Sequence, residues 1–144
     1  MKRTKTEVSE TRIEIVYEDA GFSINEDIFI SEDITWEPPY DLYLINETIF
    51  IIIELPGVKM EDIVLYLGQN SLFISGIKKP LLMEEIGSSN PVFHSLEISY
   101  GRFARQINFP MPIEPKKVVY DIKNGVLTMK LPILKEFVVP IEEV

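Results

Sequence analysis

Cysteine is absent from the sequence of 144 residues, and histidine and tryptophan occur once each. The lack of thiols excludes disulfide bonds, thiolate nucleophiles and cysteine-ligated zinc or iron–sulfur sites. Basic residues are also few, since 14 Lys and Arg stand against 23 Asp and Glu, a net charge of −9. A chain this acidic is repelled by a phosphate backbone, so we expect no nucleic-acid partner.

Long apolar runs are missing as well. The longest, from Ile49 to Ile53, has the length of a strand and falls far short of the about 18 residues that a membrane span needs. The chain begins with basic residues, but no apolar segment of the kind found in secretory signals follows them. We therefore expect a cytoplasmic protein with no membrane partner.

Motifs typical of catalytic sites are absent as well. The sequence contains no Gly-x-Ser-x-Gly elbow, no P-loop and no Gly-x-Gly-x-x-Gly after a strand. The single histidine, His94, is more typical of a surface or structural residue than of a ligand or a base. The sequence thus predicts a protein that is not an enzyme and holds no metal or cofactor.

What is present, from Tyr40 onward, is the pattern of an all-β protein. Eight of the ten prolines and six of the seven glycines lie in this part, and they divide it into short runs rich in β-branched and aromatic residues. The run from Gly101 to Phe109 alternates, so that Phe103, Arg105 and Ile107 share one face. About eight such runs at roughly ten-residue spacing predict an antiparallel, immunoglobulin-like β-sandwich.

A β-hairpin is predicted around Asn124-Gly125. Two alternating runs, Val118 to Ile122 and Val126 to Leu131, flank this dipeptide. Asn and Gly tolerate the positive φ angles of a type I′ turn, which is the commonest tight hairpin connection. The residues Val118, Tyr120 and Ile122 are expected to share one face of their strand.

Three regions differ in composition and define the expected domain organisation. Residues 1–36 carry four basic and nine acidic residues and lack a sustained apolar period, which predicts a flexible, weakly ordered N-terminal arm. Residues 37–132 form the β-sandwich domain. Residues 133–144 form a C-terminal tail, in which Pro140 favours an extended backbone, so that Val139 and Ile141 point the same way.

Six short motifs follow one another between Trp36 and Ile141. They are Trp36-Glu37-Pro38-Pro39-Tyr40-Asp41; Glu54-Leu55-Pro56-Gly57-Val58 with Glu61-Asp62-Ile63; Leu72-Phe73-Ile74-Ser75-Gly76; Tyr100-Gly101-Arg102-Phe103-Ala104-Arg105; Asn124-Gly125-Val126-Leu127-Thr128 with Leu131-Pro132; and Val139-Pro140-Ile141. In this order and at this spacing they resemble the small heat-shock protein family, built on the α-crystallin domain, in its bacterial and archaeal form. The resemblance covers about three-quarters of the chain.

The sequence departs from the family pattern at three places. Tyr120 stands where the family usually has Ala, and Ser95 and Ile98 stand in a stretch where many bacterial members carry Arg. The arm is acidic, whereas family arms are often rich in Phe and Leu.

The resemblance implies an ATP-independent holdase, a chaperone that binds partly unfolded client proteins and works as an oligomer of homodimers. The arm supplies candidate client-binding residues in short apolar clusters. These are Ile13, Ile15, Val16, Tyr17, Phe22, Ile28, Phe29 and Ile30.

The resemblance also assigns docking sites between subunits. In the family, the tail motif, here Val139-Pro140-Ile141, docks in a groove of a neighbouring subunit. We call the matching surface the receiving groove; its candidate residues are Ile63, Val64, Leu65, Leu67, Val118, Tyr120 and Ile122. The long polar connection from Lys79 to Pro91 leads into a segment that resembles the strand exchanged between dimer partners. The candidate dimer residues are Val92, Phe93, His94, Leu96 and Arg105.

Three alternatives stay open at this point. The tail can dock on a neighbour or fold back onto its own domain. Arg105 can lie at a dimer interface, or it can be a half-exposed residue whose stem packs on the sheet. The whole chain can be an adaptor module that binds one defined protein partner rather than a holdase.

Overall fold

The computed structural model describes residues 3–9, 12–18 and 34–135, and it forms a sandwich of two β-sheets. The all-β prediction is confirmed. The elements are the strands β1 (Arg3–Ser9), β2 (Arg12–Glu18), β3 (Ile34–Trp36), β4 (Tyr40–Ile45), β5 (Thr48–Glu54), β6 (Ile63–Leu67), β7 (Ser71–Lys78), β8 (Gly101–Asn108), β9 (Val119–Lys123) and β10 (Val126–Pro132), the helix α1 (Met83–Ser88), and short 3₁₀ turns at Met60–Asp62 and Pro115–Lys117.

One sheet has four strands in the order β4-β5-β10-β9, all antiparallel. The predicted Asn124-Gly125 hairpin joins β9 to β10. Asn124 has φ 54° and Gly125 has φ 76°, the two positive angles that a type I′ turn requires. Along β5 the residues alternate between fully buried and half-exposed, which is the pattern of a strand with one face in the core.

The other sheet has six strands in the order β1-β2-β6-β7-β8-β3. Its centre, β6-β7-β8, is antiparallel as predicted. Its two flanks differ from the prediction, because β2 pairs with β6 and β3 pairs with β8 in parallel. The segment expected to be a weakly ordered arm thus contributes β1, β2 and β3 to this sheet.

The side chains of Thr35 and Trp36 attach strand β3 to β8 at the edge of the six-stranded sheet. The Trp36 indole lies 4.9 Å from the Phe103 ring, and its Nε1 donates a hydrogen bond to the carbonyl oxygen of Gly101 at 3.1 Å. Thr35 Oγ1 donates to the carbonyl oxygen of Tyr100 at 2.6 Å. These contacts join the start of the domain to β8.

The core fills the space between the two sheets and is almost entirely aliphatic. Its buried members come from β2, β5, β6, β7, β8 and β10, with Leu55 and Ile113 from connections. They are Ile15, Ile49, Ile51, Ile53, Leu55, Ile63, Leu65, Leu67, Leu72, Ile74, Phe103, Ile107, Ile113, Leu127, Met129 and Leu131.

Gly76 marks the tightest approach in this core. A Cβ at this position would collide with the carbonyl oxygen of Asp62 and would lie 2.6 Å from Cζ of Phe103. We expect Gly76→Ala to lower the free energy of unfolding by about 3 kcal/mol, because the backbone oxygen cannot move aside. Urea unfolding measures this change. Gly87→Ala in α1 is the matched control, since a Cβ there meets no atom within 4 Å; equal losses in both variants would contradict the packing explanation.

The connection between β7 and β8 was expected to be a projecting loop. It contains the one-and-a-half-turn helix α1, followed by an irregular segment up to Tyr100. Within the described part of the chain, no helix is long and apolar enough to cross a membrane.

Candidate functional site

Strand β6 carries four of the candidate residues of the receiving groove, and its alternation divides them between the two faces of the sheet. Ile63, Leu65 and Leu67 are fully buried and point into the core. Val64 and Tyr66 are half-exposed on the opposite face. Val64 instead lines a cavity of about 550 Å³ on the outer side of the six-stranded sheet.

Strand β9 and the residue before it carry the other three candidate groove residues. Val118, Tyr120 and Ile122 are half-buried and pack against the core cluster, as their alternation predicts. Val119 between them is 62% exposed. Six of the seven candidate groove residues therefore face the interior between the sheets, and Val64 alone faces away from it.

One contact shows how the two sheets face each other at one end of the sandwich. The guanidinium of Arg105 on β8 lies 4.5 Å from the ring centre of Tyr40 on β4, so β4 lies opposite β8. Strand β9, which carries the candidate groove residues Tyr120 and Ile122, is the edge strand at the other end of the four-stranded sheet from β4.

Only some of the arm candidates lie in the described part of the chain, and those on β2 lie beside β6. Strand β2 runs parallel to β6, with Ile15 paired to Leu65 and Tyr17 to Leu67. Ile15 is only 2% exposed and belongs to the core cluster. Ile13 and Val16 lie on the same strand. The other arm candidates, Phe22, Ile28, Phe29 and Ile30, and the tail motif Val139-Pro140-Ile141 lie outside the described residues.

The candidate dimer segment is exposed throughout. Val92, Phe93 and Leu96 have 79%, 57% and 71% of their surface exposed, and His94 is exposed too. Ile98 adds a further side chain at 62% exposure. Residues 89–100 belong to no strand, although the chain on either side of this connection is paired in the six-stranded sheet.

Arg105 lies apart from that segment and is held by the start of the domain. Its Nη1 donates a hydrogen bond to the carbonyl oxygen of Pro38 at 3.1 Å and lies 3.8 Å from Oε2 of Glu37. Its side chain is 31% exposed and covers the Tyr40 ring. The expected carboxylate partner of this half-buried cation is therefore Glu37.

An apolar patch at the end of β4 was not singled out from the sequence. Leu44, Ile45 and Met111 are each about half exposed. Together with Ile133 and Leu134, Leu44 and Met111 line a cavity of about 280 Å³. The signal in the sequence is the continuous apolar run Tyr43 to Ile45, which is longer than one buried face of an edge strand can use.

Two features concern polar side chains. On β4, the hydroxyl of Tyr43 donates to Oδ2 of Asp41 at 3.2 Å, and this hydrogen bond to a carboxylate raises the pKa of Tyr43. Over residues 3–9, 12–18 and 34–135, no three His, Asp or Glu side chains gather in a cluster that could hold a metal ion.

Comparison with known proteins finds relatives over the sandwich domain. Heat shock protein 16 of Schizosaccharomyces pombe is 32% identical over 95 residues, which are 66% of this chain and 65% of that protein. Small heat shock protein C4 of Rickettsia felis is 32% identical over 80 residues, 56% of this chain and 47% of that protein. The chain thus spans between about half and two thirds of the length of these relatives.

A solved structure agrees with the sequence matches. Heat shock protein 16.0 from Schizosaccharomyces pombe superposes with a TM-score of 0.63 at 30% identity, covering 69% of this chain and 89% of that one. The sequence profile of the Hsp20/alpha crystallin family matches residues 45–139, a range that runs from the end of β4 to the first residue of the tail motif. The matched range includes most of the sandwich and the Asn124-Gly125 hairpin, and the chain belongs to the Hsp20/alpha crystallin family.

Proposed function

We propose that this protein is an ATP-independent holdase that works as an oligomer of dimers. Membership of the family, which is one of non-enzymatic chaperones, implies a chaperone role. The holdase mechanism and the assembly are the finer statements that we add. They need no catalytic group, but they need apolar surface that is covered in one state and free in another.

The observation that carries the proposal is the exposure of apolar side chains around the 89–100 segment. Val92, Phe93, Leu96 and Ile98 stand in solvent on a stretch without strand pairing. Monomeric proteins seldom leave large side chains this concentrated on the surface, and such a patch is typical of an interaction site. A second copy of the chain is the partner that we propose for it.

The dimer contact that we propose is strand addition. The segment from Val92 to Glu97 becomes an extra strand at a sheet edge of the second subunit, where main-chain hydrogen bonds supply affinity and alternate side chains supply fit. In this arrangement Arg105, with its link to Glu37 and Pro38, fixes the start of the domain. Its direct participation in the dimer contact is also proposed, on the family resemblance alone.

Assembly beyond the dimer is proposed to use the tail. The motif Val139-Pro140-Ile141 of one subunit docks in the receiving groove of another. The groove suits this ligand, because its inner walls are aliphatic, formed by Leu65 and Leu67 on one side and Ile122 on the other. Docking on a neighbour rather than on the same domain links dimers into a larger particle.

Client proteins are proposed to bind two apolar regions. One is the arm with its candidate residues, except Ile15, which is buried in the core while β2 is paired with β6; the other is the patch at the end of β4, where Leu44, Ile45 and Met111 are exposed. Partly unfolded chains offer apolar side chains of this kind, so their capture opposes aggregation without energy input. The proposed location is the cytoplasm.

The test is an aggregation assay without nucleotide. A heat-labile client is warmed with increasing amounts of the protein while light scattering is recorded, and the series is repeated with ATP. We expect suppression at near-stoichiometric ratios that ATP does not change. Undiminished scattering at every ratio would refute the holdase and favour an adaptor that binds one defined partner.

A further inference from the structure

The edge of β6 that forms the receiving groove already carries a strand of the same chain. Strand β2 pairs in parallel with β6 over four residues, from Glu14 opposite Val64 to Tyr17 opposite Leu67. Beyond β2 comes β1, which pairs antiparallel with β2. The arm therefore extends the six-stranded sheet at the place where a docked tail would lie.

Ile15 is buried in the same apolar cluster as the β6 residues proposed for the groove. It is 2% exposed, is paired with Leu65, and belongs to the same cluster against which Val118, Tyr120 and Ile122 pack. The burial of Ile15 thus uses apolar surface of the cluster to which Leu65 and Leu67 belong. An aliphatic side chain in this position is in the place that the tail motif needs.

The two segments share one chemical pattern. Ile13-Glu14-Ile15 and Val139-Pro140-Ile141 each have aliphatic residues two positions apart. In an extended strand such residues lie on one face, so each segment can present a pair of aliphatic side chains to the same surface. A strand edge offers one row of main-chain donors and acceptors and pairs with one strand at a time.

We propose that β2 is an internal ligand of the receiving groove and competes with the tail motif for it. This rests on the proposed docking of the tail. When β2 occupies the groove, the tail of a neighbour is excluded; when the tail docks, β2 leaves and its apolar residues become available to clients. Because the two events share one site, tail binding and arm release are coupled with equal strength in both directions.

The competition lowers the apparent affinity of the groove for the tail. Only the fraction of molecules whose β2 has left binds the tail, so the apparent Kd rises by the inverse of that fraction. A substitution that weakens β2 docking therefore tightens tail binding without touching the tail or the groove walls. Ile15→Asp is such a substitution, since it places a charge where an aliphatic side chain is buried.

The experiment uses the full-length chain with Val139→Ala and Ile141→Ala, so that its own tails do not compete. A fluorescent peptide of residues 132–144 is titrated into this chain and into the same chain with Ile15→Asp. We expect about tenfold or tighter binding in the second. Val119→Asp is the matched control, because it adds the same charge to β9 at a side chain that is 62% exposed and faces away from the groove.

A covalent lock keeps the test independent of any loss of stability in Ile15→Asp. The chain has no cysteine of its own, so a single engineered pair, Glu14→Cys with Val64→Cys, joins β2 to β6 at register partners. Neighbouring strands lie about 4.8 Å apart, within disulfide range. We expect the oxidised form to lose peptide binding and the reduced form to regain it. The pair Asp41→Cys with Ile52→Cys, across β4 and β5, controls for oxidation itself.

The outcomes separate the two proposals. Tighter binding to Ile15→Asp together with loss in the locked form supports the competition. Equal binding by the parent chain, Ile15→Asp and the locked form would overturn it while leaving tail docking intact. Absence of binding even to Ile15→Asp and to the reduced pair would overturn the docking of the tail, and the competition with it.

Discussion

Replacing Val139 and Ile141 together by alanine is expected to break large assemblies of this chain into dimers. The change removes five methyl or methylene groups from the tail motif. At about 0.8 kcal/mol for each buried group, this is about 4 kcal/mol for each docked tail. A loss of that size weakens each docking contact by roughly a thousandfold. The fold is expected to be unchanged, because the variant keeps every described residue of the core, including Ile133, which packs against it. Light scattering of the purified protein measures the mass of the particle.

The control for this prediction lies in the same tail. Val138→Ala with Val144→Ala removes a comparable apolar volume from positions outside the Val139 and Ile141 pair. In an extended tail, Val138 points to the opposite side from Val139. We expect this variant to keep the assembly. An unchanged particle mass in the Val139 and Ile141 variant would contradict tail docking on a neighbour and favour a tail folded onto its own domain.

Replacing Val92 and Leu96 together by aspartate is expected to convert the dimer to a monomer of 16.6 kDa. Both side chains are more than two-thirds exposed within one chain, so the charges cost the isolated fold little. In a dimer joined by this segment the same positions are covered, and each buried, unpaired carboxylate opposes association by several kcal/mol. Analytical ultracentrifugation of the double variant measures the change.

A variant in the same connection serves as the control. Leu81→Asp with Leu82→Asp adds the same two charges at side chains that are 82% and 60% exposed, upstream of the proposed dimer segment. This variant is expected to remain dimeric. A dimer that survives Val92→Asp with Leu96→Asp would contradict strand exchange through this segment and move the dimer contact to another edge of the sandwich.

Much of the sandwich is predictable because it depends on local signals. The strand Tyr40–Ile45 has the bounds expected from its pattern, and the Asn124-Gly125 turn has the φ angles that its residues favour. The alternation of Phe103, Arg105 and Ile107 places all three on the inner face, as observed. Turn chemistry and a period of two residues are read from neighbouring positions, and they need no knowledge of the partner strand.

The pairing of the arm could not be predicted in this way. The direction in which β2 lies against β6, and the burial of Ile15, depend on contacts about fifty residues apart in sequence. The short clusters of the arm carry no turn that would fix a register, unlike a hairpin. Similarly, helix α1 has six residues, too few to show a helical period.

The sequence indicated which strands carry the candidate groove residues, but not which face of β6 each residue occupies. An apolar run such as Ile63 to Leu67 is consistent with burial on either side, and it is the sandwich that turns Leu65 inward and Val64 outward. Arg105 illustrates the complementary case. Its need for a carboxylate was predictable from its inward position, whereas Glu37 as the partner depends on how the chain enters β4.

If this chain captures unfolding proteins in a self-assembled particle, the quantity to measure is the mass of the captured complex. A client is heated with the protein in the absence of ATP, cooled, and passed over a sizing column with light-scattering detection. We expect client and protein to elute together in one particle many times heavier than the 16.6 kDa chain. Recovery of the protein as a free monomer or dimer, with the client in the pellet, would contradict capture of clients in an assembled particle.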